Sequence, residues 1–362
     1  MKKTLLIATL LLFTVACLLT SPPPPAPTAP ASPTLTFVAS PASTSLAPST
    51  LTSIPEANIA LQRGVNFANM LEAPKEGEWG LIVEERYFDL AQQAGFDFVR
   101  LPINFAAHAA PSAPYTIDPT FFQRIDQIVD WALARRLAII IDLHQYSEMG
   151  VDPQGQKDRF LAIWTQIAAR YQNQPPQVIF ELLNEPNSQL DADLWNNYLA
   201  QALTIVRQTN PTRDVIVGPV MWNSYSSLSA LDLPADPHLI VTFHYYDPFR
   251  FTHQGADWVG EDTTSWLGTT WDATDAEKAD ITNTFDSVQQ WAQQNKVRVL
   301  LGEFGAFSPA PMDSRVRWTA FVRQQAEARG FAWAYWEFAS GFGVYDPEAR
   351  SWHADLLRAL IP

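Results

Sequence analysis

Eight short apolar runs alternate with amphipathic segments through most of the chain, and this alternation limits the possible folds more than any other feature. Continuous apolar runs are typical of parallel strands covered on both faces, and the intervening segments carry apolar residues at helical spacing. The pattern therefore predicts eight strand–helix units and an α/β fold. The apolar runs begin at Gly64, Phe98, Leu137, Val178, Val215, Leu239, Val297 and Phe331.

Eight such units either close into a (β/α)8 TIM barrel or form an open, doubly wound sheet. None of the runs is followed by a glycine-rich phosphate loop of the kind that open sheets use to bind nucleotides. Barrels of this type commonly form one domain of the size seen here. We therefore predict a single (β/α)8 barrel over residues 58–362, with the open sheet as the alternative.

The N-terminus predicts a secretory signal. Two lysines precede a mostly apolar run of about a dozen residues that ends at Ala16, which is too short to span a bilayer comfortably. The only cysteine, Cys17, follows in the sequence TVAC, as in a bacterial lipoprotein signal. We predict a signal peptide over residues 1–17 with Cys17 lipidated; the alternative is an ordinary signal peptide cleaved nearby, with Cys17 discarded.

Residues 18–57 consist largely of Pro, Ala, Ser and Thr and carry almost no charge. Such a segment has too few large apolar side chains to offset the entropy lost on ordering, so it is predicted to be a disordered, semi-stiff linker. Lipid anchor, linker and globular domain, in this order, indicate a secreted protein held at the cell surface. Membrane contact is then expected only through the lipid.

Composition limits the partners and the chemistry. The formal net charge is −14 and the basic residues are scattered, which argues against nucleic acid and other polyanionic ligands. Because the single cysteine belongs to the predicted signal, the domain is expected to use neither disulfides nor thiolate chemistry.

Polar side chains follow the predicted strands at their C-terminal ends, where (β/α)8 barrels carry their functional groups. Scattered polar residues would not follow the strand direction, so this placement predicts one site at that face. The residues are Arg100, His144, Asn184, Glu185, His244, Tyr246, Glu303, Trp336 and Glu337.

Glu185 and Glu303 predict glycosidase chemistry, because two carboxylates at one barrel face can act as acid and as nucleophile or base. They follow strands four and seven, which lie across the barrel, so both can flank one bond. Asn184 would hydrogen-bond a sugar 2-hydroxyl and Tyr246 the nucleophile, while Arg100 would keep the nucleophile ionised.

Other interpretations of these residues exist. A lone glutamate at a strand end often caps a helix, and Arg100 could pair with a structural carboxylate. Asp142 and His144, with other histidines, could ligate zinc. The metal-dependent hypothesis is disfavoured because no His-x-His pair follows the first strand and no lysine ends the fourth.

The tryptophans fall into two groups. Those on helical patterns are expected in the core, whereas those after strands or in loops can stack on sugar faces. The first group is Trp131, Trp164 and Trp291, and the second is Trp222, Trp258 and Trp336.

The motifs Asn184-Glu185-Pro186, His244-Tyr245-Tyr246 and Gly302-Glu303-Phe304, followed by Trp336, occur in this order, with Arg100 in VRLPI and His144 in DLH. Over residues 61–362 the chain thereby resembles glycoside hydrolase family 5, the cellulase family of retaining (β/α)8 enzymes. The resemblance implies that Glu185 is the acid/base, that Glu303 is the nucleophile, and that neither cofactor nor metal is required. It also implies a shell around the sugar in the −1 subsite, formed by Arg100, His144, Asn184, His244, Tyr246 and Trp336.

The stretches NMLEAPKEGEWG, HYYDPFRFTHQGADW and YWEFASGFGVYD resemble the thermophilic endoglucanase branch of that family. Relatives there often carry two adjacent histidines after strand three, whereas here His144 is followed by Gln145. Because some of those relatives accept glucans and mannans, Gln145 bears on mannan activity. By this resemblance the further substrate contacts would be Asn69, Glu72, Trp222, His253, Trp258 and Glu337.

Taken together, these features predict a secreted, monomeric endo-β-1,4-glucanase that cleaves β-linked polysaccharide with retention. The carboxyl groups of Glu185 and Glu303 should then lie about 5–5.5 Å apart. A β-mannanase, or an enzyme of broad specificity for glucomannan, xyloglucan or lichenan, is the alternative within the class. A non-catalytic carbohydrate-binding barrel is the alternative outside it.

Overall fold

The computed structural model describes residues 61–260 and 262–362. The predicted signal peptide (1–17) with Cys17, the predicted linker (18–57) and the predicted domain start at residue 58 lie outside the described residues. Among the helices that are described, none combines the length and hydropathy needed to cross a membrane.

Eight parallel strands form a closed barrel in which neighbours follow one another in sequence and the last strand pairs with the first. All eight predicted strands are present, so the (β/α)8 prediction is confirmed and the open sheet is wrong. The strands are β1 Arg63–Asn66, β2 Phe98–Ile103, β3 Ala138–Leu143, β4 Val178–Glu181, β5 Val215–Val217, β6 Leu239–His244, β7 Arg298–Glu303 and β8 Ala332–Tyr335. A short antiparallel pair, β9 Tyr345–Asp346 and β10 Ser351–Trp352, follows the barrel.

Helices surround the barrel, and short ones lie in the loops at its C-terminal face. They are α1 Glu85–Ala94, α2 Phe105–His108, α3 Pro119–Ala134, α4 Ser147–Val151, α5 Pro153–Tyr171, α6 Ala192–Thr209, α7 Val220–Asn223, α8 Phe249–Thr252, α9 Asp275–Asn295, α10 Met312–Ala328 and α11 Ala354–Leu360. Single turns of 3-10 helix lie at Asp257–Val259 and Thr263–Trp266, and a longer one at Tyr225–Ala230.

Local sequence explains where several helices begin and end. The Asp118 side chain accepts a hydrogen bond from the Thr120 amide at the start of α3, whose first residue is Pro119. A reciprocal capping box of Thr274 and Glu277 starts α9. Such caps satisfy the free amides of the first turn and fix the loops that enter each helix.

The barrel interior changes from apolar to polar along the strands. Side chains alternate between inside and outside, and Phe98, Ile140 and Ile179 belong to the apolar cluster inside the barrel. Two residues further along each of these strands, the same inward row carries Arg100, Asp142 and Glu181, all fully buried. The apolar layer therefore closes the N-terminal end, and charged side chains fill the end where the site was predicted.

Trp164 is fully buried, and Trp131 and Trp291 pack against the core, as predicted for the helical tryptophans. Arg100, in contrast, was predicted at the end of β2 but lies in its middle, three residues before Ile103. Its side chain therefore extends from inside the barrel toward the C-terminal face.

Candidate active site

Arg100 occupies the centre of the site and contacts three carboxylates. Its Nε and Nη2 atoms donate to the two oxygens of Glu181 at 2.7 and 2.8 Å, and Nη1 donates to Glu303 at 2.8 Å. Nη2 also lies 2.9 Å from Asp142 Oδ2. Removing a charge from water costs roughly several kcal/mol unless the charge is paired. These contacts therefore explain how a fully buried guanidinium is tolerated.

Two asparagines accept hydrogen bonds from the remaining N–H groups of Arg100. Nη1 donates to Asn66 Oδ1 at 2.9 Å, and Nη2 donates to Asn184 Oδ1 at 2.8 Å. Because its oxygen faces Arg100, Asn184 directs its amide nitrogen the other way, to 3.2 Å from His144 Nε2. One N–H of Asn184 is thus held in place, and the other is available to a sugar hydroxyl.

Glu303 is the last residue of β7, and donors meet both of its oxygens. Arg100 donates to Oε1, and the Tyr246 hydroxyl donates to Oε2 at 2.8 Å. Burial raises the pKa of Tyr246 well above its usual value, and the nearby charge of Glu303 adds to the effect, so the phenol remains a donor. Both contacts hold the Glu303 side chain in a fixed orientation.

Glu185 follows β4 by four residues, and 26% of its side chain is exposed. Its φ of 47° lies in the left-handed region, and the turn is held by the Asn187 side chain, which donates to the Glu185 carbonyl at 2.7 Å. Burial raises the pKa of the Glu185 carboxyl to about 7, the charge of Glu181 raises it further, and His144 and Arg100 act in the opposite direction. Glu185 can therefore carry a proton in mildly acidic solution.

His244 stands between the two glutamates. Its Nδ1 atom lies 2.8 Å from Glu185 Oε1 and 3.4 Å from Glu303 Oε2, and the Asn223 amide lies 3.3 Å from Nε2. Burial lowers the pKa of His244 to about 4, so the ring is neutral near pH 6. With Asn223 donating to Nε2, the ring proton sits on Nδ1 and is donated to Glu185.

The spacing of the two carboxylates is short. One oxygen of Glu185, one oxygen of Glu303 and one ring nitrogen of His244 all lie within 4.8 Å of one another. Retaining glycosidases hold their carboxyl groups about 5–5.5 Å apart, whereas inverting enzymes need about 6.5–9.5 Å to fit a water. The arrangement fits retention. The same two oxygens and one nitrogen are also close enough to meet around a cation.

His144 is fixed by contacts on three sides. Nδ1 lies 2.6 Å from Asp142 Oδ2, Nε2 lies 3.2 Å from Glu72 Oε1, and the ring stacks on Trp336 with 5.5 Å between centroids. Burial lowers the pKa of His144 to about 4. Asp142, which the zinc hypothesis treated as a ligand, instead contacts Arg100 and His144.

Asn69, Glu72 and Glu337 form a second polar group beside β1 and β8. The Asn69 side chain donates to Glu337 at 3.0 Å, and its backbone amide donates to Glu72. Both carboxyls are buried, and burial raises the pKa of Glu337 to about 7 and that of Glu72 well above its usual range. Protonated carboxyls can donate as well as accept hydrogen bonds, which suits sugar hydroxyls.

The more distant predicted contacts differ in exposure. Trp222 is 49% exposed and Trp258 is 58% exposed, and both offer ring surface to solvent. His253, in contrast, is buried: it stacks on Phe249 with 4.1 Å between centroids and packs edge-on to Tyr246 at 4.9 Å. His253 thus supports the ring of Tyr246.

Gln145 is half-buried and lines a cavity of about 270 Å³ between the loops that follow β3 and β4. Glu185 and Asn184 line the same cavity. Gln145 therefore lies on the Glu185 side of the site.

Sequence reasoning missed Asn66, Glu181 and Asn223 and did not assign Asp142 its contact with Arg100. A signal was present for Glu181, because a carboxylate inside an apolar run requires a buried partner, and Arg100 is a cation in another such run. Asn223, at a φ of 52°, ends the short α7, whose last three residues have left-handed backbone angles, so the sequence gives no register there.

Three comparisons place the chain among known proteins. Residues 60–341 match the family profile described as "Cellulase (glycosyl hydrolase family 5)". Endoglucanase H of Acetivibrio thermocellus is 38% identical over 304 residues, which cover 82% of this chain and 32% of that protein. The chain thus spans about a third of the length of that relative.

Solved structures of similar proteins share the fold. The Thermotoga maritima Cel5A structure in complex with cellobiose superposes with a TM-score of 0.82 at 44% identity, covering 83% of this chain and 98% of that one. The structure of the same enzyme in complex with mannotriose gives a TM-score of 0.82 at 43% identity, with the same coverage.

Proposed function

The chain belongs to the cellulase family, glycosyl hydrolase family 5, and on that premise we propose that it is a retaining endo-β-1,4-glucanase. The observation that carries the proposal is the pair of carboxylates at the C-terminal face, Glu185 and Glu303, with oxygens within 4.8 Å of each other. Their surroundings differ in the way a two-step hydrolysis requires: Glu303 accepts from Arg100 and Tyr246, whereas burial favours the protonated form of Glu185.

In the first step, Glu303 attacks the anomeric carbon of the sugar and Glu185 donates its proton to the glycosidic oxygen. The bond between the anomeric carbon and that oxygen breaks, an ester bond to Glu303 forms, and the leaving chain departs as an alcohol. Arg100 and Tyr246 hold the attacking carboxylate in place. Asn184 is positioned to donate to the sugar 2-hydroxyl, a contact that strengthens in the transition state.

In the second step, ionised Glu185 takes a proton from a water molecule, which attacks the anomeric carbon and releases Glu303. The Nδ1 proton of His244 is directed at Glu185 and stabilises its ionised form between the two steps. Two displacements at the same carbon restore the original configuration, so the product is the β-anomer.

The proposed substrate is an extended chain bound by several aromatic rings. Trp336 would support the sugar at the cleaved bond, because its ring is held parallel to His144 and remains partly exposed. Trp222 and Trp258 would stack on sugars further along the chain. The exposed positions of these two rings favour internal cleavage of a polymer.

A second candidate is a broader enzyme that also cleaves β-mannan or glucomannan. The observation favouring it is the similarity to Thermotoga maritima Cel5A, which has been solved with mannotriose as well as cellobiose. Gln145, in the cavity beside Glu185, is the position at which the chain departs from the paired histidines of many relatives.

We further propose that the enzyme is secreted and tethered as a lipoprotein through Cys17, with residues 18–57 as the linker, and that it acts as a monomer. The lipoprotein-type sequence TVAC and the Pro-rich composition support the first part. Radiolabelled palmitate incorporation that is lost in Cys17→Ala tests it, and size-exclusion chromatography of the barrel domain tests the second.

The test of the catalytic proposal is the release of reducing ends from carboxymethylcellulose, lichenan, mannan and xylan. Wild-type protein should act on carboxymethylcellulose and lichenan, and activity on mannan would establish the broader enzyme. Glu303→Ala should lose about 10⁴-fold or more in kcat while remaining folded. Near-wild-type turnover by Glu303→Ala, or no release from any glucan by the wild type, would refute the proposal.

A further inference from the structure

Glu181 has no contact that would bring it to a sugar, yet it lies within the charged group beneath the site. It is the last residue of β4, four residues before Glu185, and its side chain is fully buried. Both of its oxygens accept from Arg100, at 2.7 and 2.8 Å, on one edge of the guanidinium. From Nη1, Arg100 donates to Glu303. Arg100 thus joins Glu181 directly to the nucleophile.

We propose that Glu181 is a positioning residue for hydrolysis, which fixes the Arg100 guanidinium so that Glu303 is aligned for attack and which balances the charge of Arg100 beside Glu185. The proposal rests on the hydrolase function proposed above. It assigns Glu181 no contact with substrate, and its action passes through Arg100.

The hydrogen-bond geometry supports the first part. A guanidinium has five N–H donors in a rigid plane. In Arg100 all five donate: two to Glu181, two from Nη1 to Asn66 and Glu303, and one from Nη2 to Asn184, while Asp142 Oδ2 lies 2.9 Å from Nη2 as a further acceptor. Removing the Glu181 carboxylate leaves Nε without its acceptor and leaves Nη2 with Asn184 and Asp142 alone, so that edge of the guanidinium is held less firmly. Glu303 and Asn184 are then held less precisely, although neither has been changed.

The charge balance supports the second part. The ionised Glu181 carboxylate raises the pKa of Glu185, whereas Arg100 lowers it. If Glu181 loses its charge, the positive charge of Arg100 is less balanced and the pKa of Glu185 falls. The charged and titratable groups that surround Glu185 come from five strands or the loops after them: Arg100, Asp142, His144, Glu181, His244, Tyr246 and Glu303.

The experiment compares Glu181→Gln, which keeps the shape but removes the charge, with Glu181→Asp, which keeps the charge but is shorter. In Glu181→Gln, kcat should fall about 10- to 100-fold. A loss of this size is typical when a residue that only orients a functional side chain is removed, as known for metal-binding histidines in other proteins. KM should change less than about twofold, since uniform binding of substrate is untouched. The basic limb of the kcat/KM profile should move to lower pH.

Glu181→Asp should lose less kcat, and its basic limb should stay at the wild-type pH because the charge is kept. If Glu181→Gln does not fold, as judged by circular dichroism, Glu181→Asp provides the same kcat and KM comparison. Asp214→Asn is the matched control, because Asp214 is a buried carboxylate that pairs with Arg298 just before β5, at the opposite end of the barrel. Asp214→Asn should lower the melting temperature and leave kcat and the basic limb of the kcat/KM profile unchanged.

An aryl cellobioside with a dinitrophenolate leaving group separates the two effects. This leaving group departs without a proton, so it removes the requirement for Glu185 as acid in the first step. The loss in first-step rate caused by Glu181→Gln should persist with this substrate, because Glu303 is misaligned. The inference is overturned if folded Glu181→Gln keeps kcat within twofold of the wild type. If Glu181→Gln is unfolded, the same result in Glu181→Asp overturns it. An equal loss of kcat in Asp214→Asn also overturns it. Inactive wild-type protein overturns the proposed function instead.

Discussion

Replacing Tyr246 with phenylalanine isolates the contribution of a single hydrogen bond to Glu303, the proposed nucleophile. The phenol donates to Glu303 Oε2 at 2.8 Å in a partly buried setting. The ring itself packs edge-on to His253 at 4.9 Å and to Phe342 at 6.2 Å, and phenylalanine keeps these contacts. The substitution therefore removes one donor and leaves the packing intact.

The expected loss follows from the charge on the acceptor. A hydrogen bond to a charged group contributes about 1.5–3 kcal/mol. Because each factor of ten in rate corresponds to about 1.36 kcal/mol, kcat/KM should fall about 10- to 150-fold. Initial rates on an aryl cellobioside would measure the loss, and thermal melting would verify that the fold persists.

Tyr245→Phe is the control for this prediction. Tyr245 is adjacent and more deeply buried, but its ring faces outward against Phe285 and Trp318. It should retain kcat/KM within about twofold, since a hydroxyl outside the site adds nothing to transition-state binding. If Tyr246→Phe kept wild-type kcat/KM, or if both variants lost the same amount, the role given to the Tyr246 hydroxyl would be wrong.

Further predictions concern acidity, binding and packing. Because burial raises the pKa of Glu185 to about 7 and the acid must be protonated, kcat/KM on polysaccharide should fall as pH rises through about 7; a basic limb above pH 9 would contradict this. Trp222→Ala and Trp258→Ala should each raise KM for polysaccharide about 2- to 10-fold, as expected for loss of a ring worth about 0.5–1.5 kcal/mol, whereas unchanged KM would exclude stacking there. Gly302→Ala would place a methyl group 2.4 Å from Thr242 Oγ1, so the free energy of unfolding should drop by about 1–3 kcal/mol in denaturant titration; unaltered stability would show that β7 can shift.

The barrel was predictable from sequence because each inner strand is covered on both faces and so appears as an unbroken apolar run. The direction of the strands also fixes which end carries polar groups, and that placed Glu185 and Glu303 on one face. Strand direction does not reveal which inward side chains meet across the barrel. The pairing of Arg100 with Glu181 depends on the register between β2, β3 and β4, which the sequence does not encode locally.

The loops were the least predictable part for a similar reason. Met221, Trp222 and Asn223 all have left-handed backbone angles, an arrangement that no propensity rule anticipates for the first two. That run exposes Trp222 and brings the Asn223 amide to His244. The resemblance to a known family supplied Trp222 as a candidate, but it left Asn223 unassigned.

The stereochemistry of the first-formed product tests the central claim most directly. If Glu303 attacks the sugar and Glu185 acts as acid and then base, two displacements must leave the configuration unchanged. Proton NMR of cellopentaose hydrolysis, recorded within the first minutes in D₂O before mutarotation, distinguishes the two anomers of the new reducing end. The β-anomer should appear first and convert slowly to the equilibrium mixture. Initial release of the α-anomer would mean inversion and would contradict the covalent role of Glu303.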